Sequence, residues 1–253
     1  MIDLYSISSL PIQFNFSDSS FIFHDCINCR NRIKVSLSNL IPALLNKSLR
    51  YPEYVYEENE GLYSTNDQSF FNGTPLHYDI VVLPAGLLGI EYIKTHIYFS
   101  PESEGKTASF IECLYGILTV LIQKNEPKEE FDFDTSVNEG IMIKLRRGEK
   151  IAIPTGYYYT FINSRNTPVI FSRISVNKGI VDYNDLSHEQ GLGYFAIRKN
   201  ARTEIVFNPR YRFVPTIKKY TPSDDRFRPK FGNLPLYESL KAELNYFMDS
   251  IIS

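Results

Sequence analysis

The chain has 253 residues, enough for one large domain with extensions or at most two domains. Its 43% hydrophobic fraction can fill a sizeable core, and 18 Tyr and 18 Phe with no Trp favour strands. A formal net charge of −2 removes the electrostatic case for nucleic acid, three cysteines do not make a disulfide framework, and no apolar run approaches the length of a membrane span.

Residues 1–16 lack a basic start and an unbroken apolar run, so no signal peptide is expected and the cytoplasm is the expected location. Phe21–Phe23 reads as a short strand. Cys26 and Cys29, with His24 nearby, make half a zinc site; without a second pair, structural zinc is not expected. Ser38 caps a helix start with Pro42 in the first turn, and Leu40, Leu44 and Leu45 supply an apolar face, which predicts a helix over 38–47. Arg50–Gly61 reads as extended then turning, and Ser64–Pro75 as polar loop.

From Tyr78 the pattern switches to period two. It predicts strands at Tyr78–Leu83, Gly89–Phe99, Ser109–Leu114, Ile117–Gln123, Ile141–Leu145, Lys150–Ile153, Tyr157–Asn163, Val169–Val176, Tyr194–Arg198 and Glu204–Phe207. Lys124–Asn138 and Asn177–Gly191 read as polar excursions. Ile141–Leu145 and Lys150–Ile153 are expected to form a hairpin around Arg147 and Gly148. Tyr157–Asn163 is expected to pair with Val169–Val176. The basic cluster Lys144, Arg146, Arg147 and Lys150 then reads as a solvated hairpin end rather than an anion site. Many short strands at this spacing mean a sandwich or barrel. Pro235 opens a last helix whose face of Leu236, Leu240, Leu244, Phe247 and Ile251 is expected to pack on the strands, not on a membrane or a partner.

Pro154-Thr155-Gly156 marks a tight turn, because Pro fixes φ and Gly accepts positive φ. Around it, Gly148-x5-Pro154-x-Gly156-x2-Tyr159-x3-Asn163 resembles the second motif of the cupin superfamily. The departure is Tyr159, where cupins carry a metal-binding His. Ser109-x6-Gly116 keeps the spacing of the first motif's second half without its Glu. Tyr78–Gly86, Gly89–Thr95 and Asn208–Tyr211 look like the cupin-type glucose-6-phosphate isomerases, and Arg50–Tyr56 is similar to the segment leading into their barrel. The resemblance spans about residues 38–217.

It implies an all-β fold: a cupin double-stranded β-helix, or jelly-roll barrel, with a short N-terminal helical extension and a C-terminal helix. The expected division is 1–60 extension, 61–217 barrel and 218–253 tail. In that family two His, a Glu and a later His hold one divalent metal that serves aldose–ketose isomerisation. Here Tyr98 and Ser100, or His96 and Tyr98 in a register shortened by two residues, stand for the first pair; Ser109 and Tyr159 stand for the others. Serine is a poor ligand, and Tyr must lose a proton with an ordinary pKa of about 10. No metal and no other cofactor is therefore expected.

Candidate pocket residues are Thr95, His96, Tyr98, Ser100, Ser109 and Tyr159, with Thr95 matching a family position but lying opposite His96 in strand parity. The resemblance implies a sugar-phosphate ligand and a homodimer through barrel edges. The expected function is sugar-phosphate binding or weak isomerisation. The alternative is an active metal-independent isomerase or epimerase, for which His96 and Glu91 are the candidate bases.

Overall fold

The computed structural model describes residues 1–126, 135–176, 186 and 189–252. The elements run β1 (Ile2–Asp3), α1 (Tyr5–Ser8), β2 (Ile12–Asn15), β3 (Ser20–Phe23), β4 (Ile27–Ser36), α2 (Leu37–Leu40), β5 (Tyr54–Ser64), α3 (Gln68–Asn72), β6 (Leu76–Leu83), β7 (Leu87–Leu88) and β8 (Glu91–Lys94). They continue as β9 (Tyr98–Phe99), β10 (Thr107–Tyr115), β11 (Ile117–Asn125), β12 (Val137–Arg146), β13 (Lys150–Pro154), β14 (Tyr158–Asn163), β15 (Val169–Val176), β16 (Tyr194–Lys199), β17 (Arg202–Phe207), β18 (Lys218–Tyr220), α4 (Leu236–Ala242) and α5 (Leu244–Ile251). The two expected excursions lie largely outside the described residues.

A six-stranded sheet, β13-β10-β15-β6-β5-β4, faces a nine-stranded one, β17-β16-β8-β14-β11-β12-β18, with β7 on β8 and β9 on β14. From β10 onward the chain alternates between them: β10 in the first, β11 and β12 in the second, β13 back, β14 across, β15 back. That alternation is the jelly-roll double-stranded β-helix.

Strand parity divides the apolar residues into two cores. Val81, Leu83, Ile111, Phe171, Val120, Ile143 and Phe161 fill the space between the sheets. Tyr78, Ile80, Val82, Phe110, Leu114 and Ile174 point out of the six-stranded sheet. There β2 and β3, through Ile12, Phe14 and Phe21, and the C-terminal helices, through Leu236, Leu240 and Phe247, cover them. The apolar face of the last helix thus packs on the barrel wall, with Leu244 and Ile251 at its margin. The helix itself is interrupted at Glu243, where φ is −127° and ψ 40°. Among the described residues no helix is long and apolar enough to cross a membrane.

Several local expectations change. The two hairpins are absent: β12 pairs with β11 and β18, while β13 pairs with β10; β14 pairs with β11, β8 and β9, while β15 pairs with β10 and β6. Period two shows which face of a strand is apolar, not which sheet takes it. Both turns carry the chain across the core. Gly148 provides φ +84° at the first. The Asn163 amide pins the second by donating to Leu83 O (3.0 Å), Pro84 O (2.9 Å) and Thr167 O (2.9 Å).

The expected strand Gly89–Phe99 is two strands, because Thr95 leaves the ladder. Its N–H donates to Phe161 O at 2.9 Å, and its hydroxyl accepts the Phe161 N–H at 3.1 Å. The helix over 38–47 shrinks to α2 and a 3-10 turn, Ile41–Ala43. Pro42 has no N–H to extend it, and the Ala43 carbonyl accepts from Lys94 Nζ at 2.7 Å instead. Arg50–Gly61 is mostly strand: β4 and β5 extend the six-stranded sheet, so that sheet begins well before residue 61. The loop at 64–75 contains α3, which buries Phe71.

Candidate functional site

Tyr98 on β9 and Tyr159 on β14 are register partners, and both point between the sheets. Their rings stack at 5.4 Å between centroids, 26° from parallel. Phe161 touches both at 5.8 Å, and Phe171 reaches Phe161 from the facing sheet at 4.5 Å. Beside the pair, Ser109 on β10 donates its hydroxyl to Ile174 O at 3.0 Å. The residues that the motif resemblance sets at metal-ligand positions therefore meet in space, as two stacked tyrosines and a serine.

Three charged side chains on the inward face of the six-stranded sheet complete the interior: Glu58 on β5, Asp79 on β6 and Arg173 on β15. Arg173 and Asp79 are cross-strand partners, joined from Nη2 and Nε to Oδ2 at 2.9 and 3.3 Å. Asp79 Oδ1 accepts the Gly61 N–H at 2.9 Å. Tyr98 donates its hydroxyl to Glu58 Oε1 at 2.6 Å, and the Arg173 guanidinium sits 4.9 Å from the Tyr98 ring centroid. All three charges are buried.

Burial pushes the Tyr159 hydroxyl up to about 12, against the opposing pull of Arg173. Burial and then the neighbouring Glu58 hold the Tyr98 hydroxyl well above its ordinary range, with Arg173 opposing. Burial, reinforced by Arg173, depresses His96 to about 4. Near neutral pH the interior thus offers protonated phenols and a neutral imidazole.

This donor set does not fit a divalent metal. Tyr98 spends its proton on Glu58, Ser109 spends its own on a backbone carbonyl, and a fixed guanidinium repels a second cation. At the edge of the interior, Arg30, Asn31, Glu60, His77, Asp79, Arg173 and Ser175 enclose a cavity of about 110 Å³. Small-molecule sites occupy about 300–1,000 Å³.

Of the candidate pocket residues, the structure brings together Tyr98, Ser109 and Tyr159. His96 lies at their margin, half-buried; its ring is edge-on to Tyr56 at 6.0 Å, and its backbone N–H donates to the Tyr56 hydroxyl at 3.2 Å. Thr95 is fully buried, and its hydroxyl lies 3.2 Å from that of Thr160. Ser100 ends the β9 segment, where its carbonyl accepts the Gly156 N–H at 2.8 Å. Glu91 is ion-paired to Lys94 and accepts the Leu45 N–H at 3.0 Å, contacts that anchor the segment entering the barrel. Glu58, Asp79 and Arg173 escape sequence reasoning. The available signal was Asp79 in YDIVVL and Arg173 in VIFSRISV: single charges at core-facing parity inside apolar strands. Among the described residues no three His, Cys, Asp or Glu side chains form a metal-binding group, at Cys26 and Cys29 or elsewhere.

The family model described as glucose-6-phosphate isomerase (GPI) matches residues 41–210. No curated protein matches the sequence. Similar solved structures include peruvianin-I, a cysteine peptidase from Thevetia peruviana latex, at 16% identity over 39% of this chain and 48% of that one, TM-score 0.25. The oxalate decarboxylase of Lactobacillus farciminis, as a formate complex, aligns at 13% identity over 50% of this chain and 30% of that one, TM-score 0.34. The Drosophila melanogaster CENP-C cupin domain aligns at 11% identity over 49% and 71%, TM-score 0.29. The chain spans about half of the peruvianin-I chain and less than a third of the decarboxylase chain.

Proposed function

Given that the chain belongs to the glucose-6-phosphate isomerase family, of the cupin type, we propose that it is a metal-free member which keeps the barrel and turns over sugar phosphates weakly or only binds them. One observation carries this reading: the stacked Tyr98 and Tyr159, with the Tyr98 hydroxyl tied to Glu58, stand where the family's ligands would converge. Isomerisation moves a proton between neighbouring carbons and builds negative charge on oxygen, so it needs a base and a preorganised electrophile. Glu58 accepts from Tyr98, Arg173 is engaged by Asp79, and His96 is a weak base at a pKa of about 4. The cavity of about 110 Å³ beside them does not accommodate a hexose phosphate.

A second reading, metal-independent isomerisation, is favoured by one feature. Arg173 places a cation in the barrel near His96, as an oxyanion stabiliser would be placed. A coupled assay of glucose 6-phosphate and fructose 6-phosphate interconversion, with and without added manganese, iron or zinc, separates the two. We expect turnover far below that of a metal-bearing relative and no response to metal. Wild-type turnover matching such a relative overturns the first reading. If that turnover is metal-independent and lost in a folded Arg173→Met variant, the second reading replaces it.

A further inference from the structure

On the outer face of the nine-stranded sheet, remote in character from the apolar barrel interior, lies a groove of about 880 Å³. Its floor follows from strand parity. Ile141, Ile143 and Leu145 of β12 point into the core, so Met142, Lys144 and Arg146 point out. β18 runs parallel along the edge of β12 and sets Lys219 in register with Met142. Arg165 enters from the turn between β14 and β15, and Arg228 from the segment after β18. That segment is anchored: Phe227 is buried in the main core and its carbonyl accepts the Ala152 N–H at 2.7 Å.

Among the described residues Lys144, Arg146, Arg165, Lys219 and Arg228 have no ion-pair partner. The sixth cation, Lys150, pairs with Glu112 at 2.9 Å. The lining's acidic residue, Glu149, accepts the Arg146 backbone N–H at 2.7 Å. The Lys144 ammonium is held below its ordinary range by burial and by the charges of Arg165 and Lys219. Five like charges on a concave wall repel one another and focus a positive potential that an anion relieves. Arginine forks match phosphate oxygens two at a time. Half-buried Tyr220 and Phe231 add apolar walls.

We propose that this groove binds a small molecule carrying an oligophosphate chain. The volume falls in the range of small-molecule sites. The positive charge is local, since the chain as a whole carries 27 basic against 29 acidic residues, and a polymer would need a longer basic track. The bound chain spans Lys144, Arg165 and Lys219, and the remainder of the ligand rests on Tyr220 or Phe231. This site does not depend on the barrel interior or on isomerase activity.

The test is calorimetric titration of the full chain at fixed ionic strength with inorganic phosphate, tripolyphosphate, adenosine triphosphate and fructose 1,6-bisphosphate. Tripolyphosphate should bind at least about tenfold more tightly than phosphate, and Arg165→Gln with Arg228→Gln should weaken it by about tenfold or more. The same variant, without ligand, should keep or raise its thermal midpoint, because it removes like charges. Tighter binding of the nucleotide than of tripolyphosphate assigns the remainder to a nucleoside; tighter binding of the bisphosphate, whose two phosphates are not joined in a chain, overturns the proposal. Equal affinity for phosphate and tripolyphosphate, or undiminished binding in the folded variant, overturns the proposal. So does affinity for oligothymidylate that rises with its length and exceeds that for tripolyphosphate.

Discussion

Arg173→Met tests whether the buried charges hold the barrel together. Arg173 and Asp79 are only 7% and 5% exposed at the side chain, so water screens neither. Met keeps much of the side chain's apolar length and removes the charge. Asp79 is then left with the Gly61 N–H, and Glu58 with the Tyr98 hydroxyl. Breaking a buried pair from one side costs about 3–5 kcal/mol, because it strands a charge. For a chain of this size that lowers the thermal midpoint by roughly 6–20 °C, at about 2–4 °C per kcal/mol. Asp79→Asn combined with Arg173→Met removes both charges and keeps the acceptor for Gly61, so it should recover a large part of the loss. Urea unfolding of the two single variants and the double variant gives the coupling energy. A loss under about 1 kcal/mol, or strict additivity in the cycle, would refute the reasoning.

His96 should make the protein acid-sensitive. The unfolded imidazole protonates near 6.5 and the folded one only near 4, so stability is full above 6.5 and falls between those values. The loss is at most about 3 kcal/mol, and His96→Gln should flatten that part of a stability–pH curve; an unchanged slope assigns it to other groups. Gly140→Ala should cost about 1–3 kcal/mol in urea unfolding, since a Cβ there overlaps the Tyr194 ring, whose hydroxyl donates to Pro215 O at 2.8 Å; a neutral variant would show that β16 yields freely. Leu240→Ala should cost about 2–4 kcal/mol through the cavity it opens under α4, and removing residues 235–253 should lower the midpoint further. An unchanged midpoint after truncation would mean that α4 and α5 contribute nothing to the barrel.

By itself the sequence determined the β class, the run of short strands from Tyr78 to Phe207, the turn at Pro154–Gly156 and the family. The motif resemblance also singled out Ser109 and Tyr159 as standing at ligand positions. These are properties of neighbours along the chain: alternation of apolar residues, a fixed φ at Pro and a tolerated positive φ at Gly. The burial of Leu236, Leu240 and Phe247 was legible for the same reason, as one stripe on a helix.

Only the tertiary structure decided which sheet receives each strand. β12 and β13, adjacent along the chain, part company at Gly148, and pairing is chosen by long-range hydrogen bonds that no local pattern encodes. The same holds for the interior charges. Glu58, Asp79 and Arg173 lie on three strands far apart in sequence and become one network because β5, β6 and β15 are neighbours in one sheet. The outer groove completes the contrast. Lys144 and Arg146 read as a solvated hairpin end until β18 and the crossing at Arg165 bring further cations beside them. Charge density at a surface is set by the distance between side chains in space, which the order of residues does not give.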